Sequence, residues 1–244
     1  MVFIIFKNLY IPKYQMKLPK HIAIILDGNR RFAKRLMKTP EKGHEWGYKK
    51  VRELINWCKE FNIKEITLFT FSLENFQRPK REFNYLMKLF IKAFKELQKE
   101  KDLNKIKVKF IGRLWMFPQE VQKEMFNLME KTKNNKQMKL NFAMAYSGRA
   151  EIIDAIKKIA EAVKYNELEI NNINEKLVQQ NLYLDSEPEL IIRTSEERLS
   201  GFLTWQSVYS EIIFLPKILW PEFSKQDFIA CLQEFSRRDR RFGQ

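Results

Sequence analysis

The sequence predicts an α/β fold: one domain on an open, mostly parallel six-stranded sheet flanked by helices. Three observations carry this. Six short runs rich in β-branched and aromatic residues recur along the chain, most separated by longer segments of helical period. That alternation is the pattern of βαβ units, in which a crossover helix returns the chain to start the next parallel strand. With 244 residues, 45% of them hydrophobic and 14% aromatic, the chain can bury a large core and suits one domain better than two small ones.

The elements follow in order. Residues 1–20 precede the pattern; "MVFIIFKNLYIPKYQMK" has five apolar residues after Met1, too few to span a bilayer, and no cleavage signal. It reads as an extension that either packs on the domain as an arm or lies on a membrane surface, leaving 21–244 as the domain proper. Strands are predicted at 21–27, 64–71 ("KEITLFTF"), 106–112 ("KIKVKFIG"), 138–146 ("MKLNFAMAY"), 189–194 ("ELIIRT") and 210–215 ("SEIIFL"). Helices are predicted at 45–61, 80–101, 118–131, 149–163 and 224–236, with Pro118 suited to a first turn and Ser224 with Asp227 resembling a capping box. The polar stretch 165–176 reads as a loop entering a short helix. Within 80–101, Phe83, Leu86, Met87, Phe90, Phe94 and Leu97 share one helical stripe.

Composition narrows the partners. Lys and Arg number 45 against 30 Asp and Glu, giving +15 at pH 7 and pointing to anions: nucleic acid, phosphorylated substrates or acidic lipid. Cys58 and Cys231 lie far apart with no CxxC spacing, so neither a disulfide framework nor a zinc site is expected, and an intracellular location is the default. Cys58 falls with Val51, Leu54 and Ile55 at helical spacing, which marks core packing.

Open parallel sheets gather ligands beyond the carboxyl ends of their strands. Successive strands here deliver Asp27-Gly28-Asn29-Arg30-Arg31, Ser72 to Arg78, Gly112-Arg113, Ser147-Gly148-Arg149, and Arg193-Thr194-Ser195 with Arg198 close behind. Arginine offers a planar fork of donors to phosphate oxygens, and Gly28 and Asn29 would let backbone N–H groups approach an anion at the start of the next helix. The rim therefore reads as a polyphosphate site. It lacks a GxxxxGK[ST] loop, a GxGxxG fingerprint, HExxH and a paired DDxxD motif. What remains is one strand-end carboxylate, Asp27, suited to one Mg²⁺ completed by phosphate oxygens and water.

"HIAIILDGNRRFAK", "TLFTFSLENFQRP", "FAMAYSGRAEI" and "IIRTSEERLSGFLTWQSVYSEIIF" together resemble the successive signature segments of the cis-prenyltransferases, the undecaprenyl and dehydrodolichyl diphosphate synthase family. The likeness runs over about 21–223, and "DGNRR" with "GHEWG" is closest in style to archaeal and eukaryotic members. The resemblance implies sequential condensation of isopentenyl diphosphate onto an allylic primer, farnesyl or geranylgeranyl diphosphate, giving a long cis-polyprenyl diphosphate for a glycosyl carrier lipid. It implies that Asp27 assists departure of the allylic diphosphate through Mg²⁺, with Glu211 a second metal contact. Gly28, Asn29, Arg30, Arg31 and His44 would hold the allylic diphosphate, His44 from a loop in "PEKGHEWG". Ser72 and Asn75 would assist proton removal, Arg78 would bind diphosphate, and Phe71 and Phe76 would flank the substrate. Phe32, standing where many members have Trp, joins the substrate-binding set. Arg193, Arg198 and Ser200 would hold isopentenyl diphosphate. Arg241 belongs to an Arg-x-Gly tail that reaches across a homodimer. The helical stripe from Phe83 to Leu97 would wall an apolar tunnel for the growing product. A cytoplasmic enzyme in peripheral contact with the membrane is expected.

One departure stands out. "RTSEERLSGF" is one residue shorter than the usual form, which has a glycine between Ser195 and Glu196. A weakly active or noncatalytic subunit of a heteromer is thus one alternative, opposed by the joint presence of Asp27, Asn75, Arg78, Arg193 and Glu211. A basic nucleic-acid-binding protein is the other, suggested by "SRRDRRFGQ" but without any RRM, KH or zinc-finger signature; nucleic acid is not the expected partner.

Overall fold

The computed structural model of the chain describes residues 16–240. Its strands β1 (His21–Ile25), β2 (Glu65–Ser72), β3 (Ile106–Ile111), β4 (Met138–Tyr146), β5 (Leu190–Thr194) and β6 (Glu211–Leu215) form one sheet in the order β3-β4-β2-β1-β5-β6. All pairings among the described residues are parallel, so the sheet is wholly rather than mostly parallel. Helices α1 (Asn29–Arg35), α2 (Pro40–Glu60), α3 (Lys80–Leu97), α4 (Gln119–Thr132), α5 (Gly148–Lys164), α6 (Glu175–Asn181) and α7 (Lys225–Arg237) cover it.

The central strands β1 and β5 are buried on both faces, as in parallel sheets generally. Ile24, Leu68, Leu140 and Ile192 meet Leu54, Phe90, Met125 and Phe228 in one core cluster. Ala23, Ile25, Ala143 and Ile191 meet Tyr146, Leu184 and Phe202 in the other. Register aligns the carboxyl ends: Ile25 pairs with Phe69 on one side and Arg193 on the other. β1 sits at the switch point of the sheet, flanked by β2 and β5, where the crevice of an open α/β sheet lies.

Two local departures shape that crevice. β1 ends two residues sooner than the expected 21–27: Asp27 N–H turns back to Ile25 O at 3.0 Å, and Gly28 follows at φ +113°. A Cβ on Gly28 would lie 2.9 Å from Leu219 Cα, so the turn needs glycine for both reasons. α2 begins five residues before the predicted start, because Pro40 occupies its first turn. His44 therefore stands on a helix and not on the expected loop. Its neighbours Gly43 and Gly47 admit α1, since a Cβ on Gly43 would fall 2.2 Å from Asn29 O. The Ser224–Asp227 capping box is formed, with Asp227 N–H donating to Ser224 Oγ at 3.2 Å.

Candidate active site

The strand ends build a crevice around Asp27. Its Oδ2 accepts from Arg193 Nη2 at 2.9 Å and its Oδ1 meets Arg31 Nη2 at 3.1 Å. Its backbone is pinned as well: the carbonyl accepts from Thr194 Oγ1 at 2.7 Å and from Trp220 N–H at 2.9 Å. Trp220 is itself anchored by its indole N–H on Gly47 O at 3.0 Å. Arg193, buried at the end of β5, donates to Ser200 Oγ at 2.9 Å and to the Arg198 carbonyl. Arg193 Nε, Asn29 Oδ1 and Ser195 Oγ are buried without a hydrogen-bond partner among the described residues, so the crevice floor holds polar capacity that protein groups leave unused.

The opposite wall is organised by a residue that sequence reasoning missed. Glu82, in the first turn of α3, has a side chain only 5% exposed and faces three cationic or titratable groups: His44 at 2.9 Å, Arg78 at 3.3 Å and Arg30 at 3.7 Å. Burial pushes the His44 imidazole below the ordinary 6.5 and outweighs the Glu82 hydrogen bond. A neutral His44 then meets the carboxylate with its Nε2–H as donor. Burial likewise lowers the Arg78 value, against the pull of Glu82. Ser72 and Asn75 lie between these walls, where Ser72 N–H donates to Asn75 Oδ1 at 3.2 Å and fixes the amide.

Two connected spaces result. An outer bowl of about 690 Å³ is lined by Asp27, Gly28, Arg30, Arg31, Lys34 and Lys38, among others. An inner cavity of about 300 Å³ runs from Arg193 and Ser200 past Leu86, Leu89, Phe90 and Phe94 to Arg52 and Glu100. Asp27, Asn29, His44 and Arg78 line both, so a cationic mouth opens directly into an apolar chamber. Phe71 packs edge-on against Phe76 at 5.0 Å and against Phe90 at 5.9 Å on the chamber side.

The structure thus brings together Asp27, Gly28, Asn29, Arg30, Arg31, His44, Phe71, Ser72, Asn75, Arg78, Arg193 and Ser200, with Phe76 packed behind Phe71. It separates others. Phe32 turns to the outer face of α1, edge-on to Trp46 at 5.2 Å and beneath the Arg35 guanidinium, because α1 directs Arg31 inward and the next residue away. Glu211 opens β6 at the end of the sheet opposite Asp27, paired with Leu190, and its carboxylate binds Arg238 at 2.8 Å; within one chain it is no second metal contact. The Arg198 head is 64% exposed and held by Glu196 at 2.8 Å, so it stands outside the cavity lining. Of the α3 stripe, Met87 belongs to the core cluster and Phe83 packs against it, and neither lines the chamber, whereas Leu89, outside the stripe, does. Arg241 and most of the 1–20 extension lie outside the described residues.

The oxygens around Asp27 suit a hard cation: one carboxylate 32% exposed beside a bowl large enough for a diphosphate is the usual protein share for Mg²⁺. No group of three or more His, Cys, Asp or Glu side chains arranged to hold a metal occurs among the described residues, so phosphate oxygens and water would complete such a shell. Among those residues, no helix is long and apolar enough to cross a membrane.

Comparison with known proteins agrees with this geometry. Residues 25–243 match the prenyltransferase family model described as undecaprenyl diphosphate synthase. The chain is 46% identical over 233 residues to the tritrans,polycis-undecaprenyl-diphosphate synthase (geranylgeranyl-diphosphate specific) of Methanocaldococcus jannaschii, covering 93% of this chain and 83% of that one. It is 42% identical to the isoprenyl transferase of Thermus thermophilus, covering 93% and 89%. Its fold superposes on lavandulyl diphosphate synthase from Lavandula x intermedia, solved with dimethylallyl diphosphate, with TM-score 0.87 at 33% identity over 93% and 99% of the two chains. An undecaprenyl diphosphate synthase structure from Campylobacter jejuni gives TM-score 0.78 at 33% identity over 94% and 100%. A strand-end carboxylate between arginines, set at the mouth of an apolar chamber and carried on this sequence, places the chain in the undecaprenyl diphosphate synthase family of cis-type prenyl-transferring enzymes.

Proposed function

We propose that this chain condenses isopentenyl diphosphate repeatedly onto geranylgeranyl diphosphate to make a long cis-polyprenyl diphosphate for a glycosyl carrier lipid. The observation that carries this is the continuity of the cationic bowl with the apolar chamber through Asp27, Asn29, His44 and Arg78. A diphosphate head and a prenyl tail need those two environments side by side. The choice of primer rests on the archaeal relatives, which are named as geranylgeranyl-diphosphate specific.

In this reading Arg30, Arg31 and Arg78 take the allylic diphosphate, and Arg193 and Ser200 the isopentenyl diphosphate. The allylic C–O bond breaks, the isopentenyl double bond supplies the new C–C bond, and a proton leaves to form the new cis double bond. The leaving group gathers charge as the bond breaks, and guanidinium forks fixed by Asp27 and Glu82 stabilise it without reorganising. Mg²⁺, when bound beside Asp27, neutralises diphosphate charge and polarises the breaking bond. Ser72 and Asn75 can accept a hydrogen bond from the departing proton but cannot keep it at neutral pH; the released diphosphate, with the proton affinity they lack, is its final acceptor. A homodimer, completed by the Arg241 tail and supplying Glu211 from a second copy, and a cytoplasmic enzyme in peripheral membrane contact belong to the same proposal. The nucleic-acid and noncatalytic alternatives gain no support from the comparisons.

The test incubates the purified chain with Mg²⁺, labelled isopentenyl diphosphate and either geranylgeranyl or farnesyl diphosphate, and sizes the extracted lipid by mass. A ladder built preferentially on geranylgeranyl diphosphate and lost in Asp27→Ala is the expected result. No incorporation by the folded wild-type chain would overturn the reading.

A further inference from the structure

The loop after β5 carries a contact that the proposed chemistry leaves unused. Glu196 Oε1 lies 2.7 Å from Arg31 Nη1, and its Oε2 lies 2.8 Å from Arg198 Nη1. Arg31 also holds Asp27 at 3.1 Å, and Asp27 holds Arg193 at 2.9 Å. Charge therefore alternates along a ladder from Arg198 through Glu196, Arg31 and Asp27 to Arg193. Of the two guanidinium groups joined by Glu196, Arg31 is assigned above to the allylic diphosphate, and Arg198, at the surface beside the cavity, is the one the family resemblance implies for isopentenyl diphosphate. A delocalised carboxylate between two guanidinium forks satisfies the same donors as a phosphate would.

We propose that Glu196 is an internal stand-in for diphosphate that couples the two substrate positions, steadying Arg31 and Arg198 until an incoming diphosphate displaces it. This rests on the functional reading given above. Arg31 first, then Arg198, holds the Glu196 carboxyl below the usual carboxylate range, so the competitor is an anion at neutral pH. The arginine heads are 46% and 64% exposed, which leaves the contacts open to exchange with a dissolved anion. The backbone beside it is strained: Ser195 stands at φ +77°, in the left-handed region that a non-glycine residue resists. The first diphosphate to displace Glu196 frees both forks at once, and the second then meets no internal competitor.

The experiment is calorimetric titration of the full chain with inorganic pyrophosphate, comparing wild type, Glu196→Gln and Glu197→Gln. Glu197 is exposed and its neutralisation changes net charge identically. Two solvent-screened ion pairs, each worth up to about a factor of five, give an expected tightening of about three- to tenfold for Glu196→Gln. Glu197→Gln is expected to stay within about twofold of wild type, since a solvent-exposed charge is screened. In steady-state assays KM for both substrates falls together in Glu196→Gln while kcat holds. Unchanged or weaker pyrophosphate binding in Glu196→Gln would overturn the proposal, as would equal tightening in Glu197→Gln. Failure of the functional reading is a separate result, since it would show as absent prenyl transfer by the wild-type chain whatever its pyrophosphate affinity.

Discussion

Three groups of the site, His44, Arg78 and Arg30, depend on the buried Glu82. Glu82→Gln keeps the shape and an acceptor for His44 but removes the charge facing Arg78 at 3.3 Å and Arg30 at 3.7 Å. Breaking one side of a buried ion pair costs about 3–5 kcal/mol. The Arg30 head, 56% exposed, adds little to this, and the retained hydrogen bond to His44 gives back about 1 kcal/mol. The expected loss is therefore about 2–4 kcal/mol, read as a fall in Tm of about 4–16 °C for a domain of this size. Calorimetry with and without pyrophosphate supplies the sharper readout. In the wild type the anion joins a wall already balanced by Glu82; in the variant Arg78 keeps only the more distant Asp27 as a counter-charge, so the anion must restore a larger share of Tm. A destabilisation below about 0.5 kcal/mol, the level of an ordinary surface change, would refute the idea that Glu82 balances this wall. An equal or smaller pyrophosphate shift in the variant would refute it too.

Two further outcomes are expected. Burial holds both His21 and His44 below 6.5 in the fold, so the unfolded chain binds protons that the native chain does not; stability is full above pH 6.5 and declines as pH falls toward the folded values. Urea midpoints at pH 7.5 and 5.5 should show the lower value at 5.5, and a flat or rising profile would contradict the burial argument. Phe90 lines the chamber, so Phe90→Trp should shorten the product ladder with the fold intact by circular dichroism; an unchanged ladder would remove Phe90 from the product's path.

The parallel sheet and its rim were legible because each depends on short-range patterns. Runs such as "HIAII" and "LIIRT" are too apolar to face water on either side, which commits them to a covered parallel sheet. Once the strands are parallel, Asp27 and Arg193 must emerge at one edge, however far apart in sequence. The direction of a side chain on a short helix is a different matter. α1 has seven residues, almost all polar, so no apolar stripe reveals its phase, and Phe32 was assigned to the face it does not occupy. Glu211 failed for a simpler reason. It opens its strand instead of closing it, so topology sends it to the far edge of the sheet.

The acids were hidden for a more general reason. In the sequence, Glu82 is a first-turn acid that complements its own helix dipole, and Glu196 is one of two adjacent acids in a loop. Neither pattern reports that Arg30 and Arg31 on α1 and His44 on α2 are among their partners. Yet the cations that were legible require them: Arg30, Arg31, Arg78 and Arg193 converge on one crevice, with Arg198 at the surface beside it, on a chain carrying +15, and like charges so gathered repel until an anion is present. Glu82 is buried and short of solvent, whereas Glu196 is held at the surface between two half-exposed heads. The first suits a permanent counter-charge that keeps its wall in place during turnover. The second suits a counter-charge that leaves when substrate brings its own, which is why the two glutamates should respond to pyrophosphate in different ways: neutralising Glu82 costs stability that the anion restores, and neutralising Glu196 raises the affinity for the anion itself.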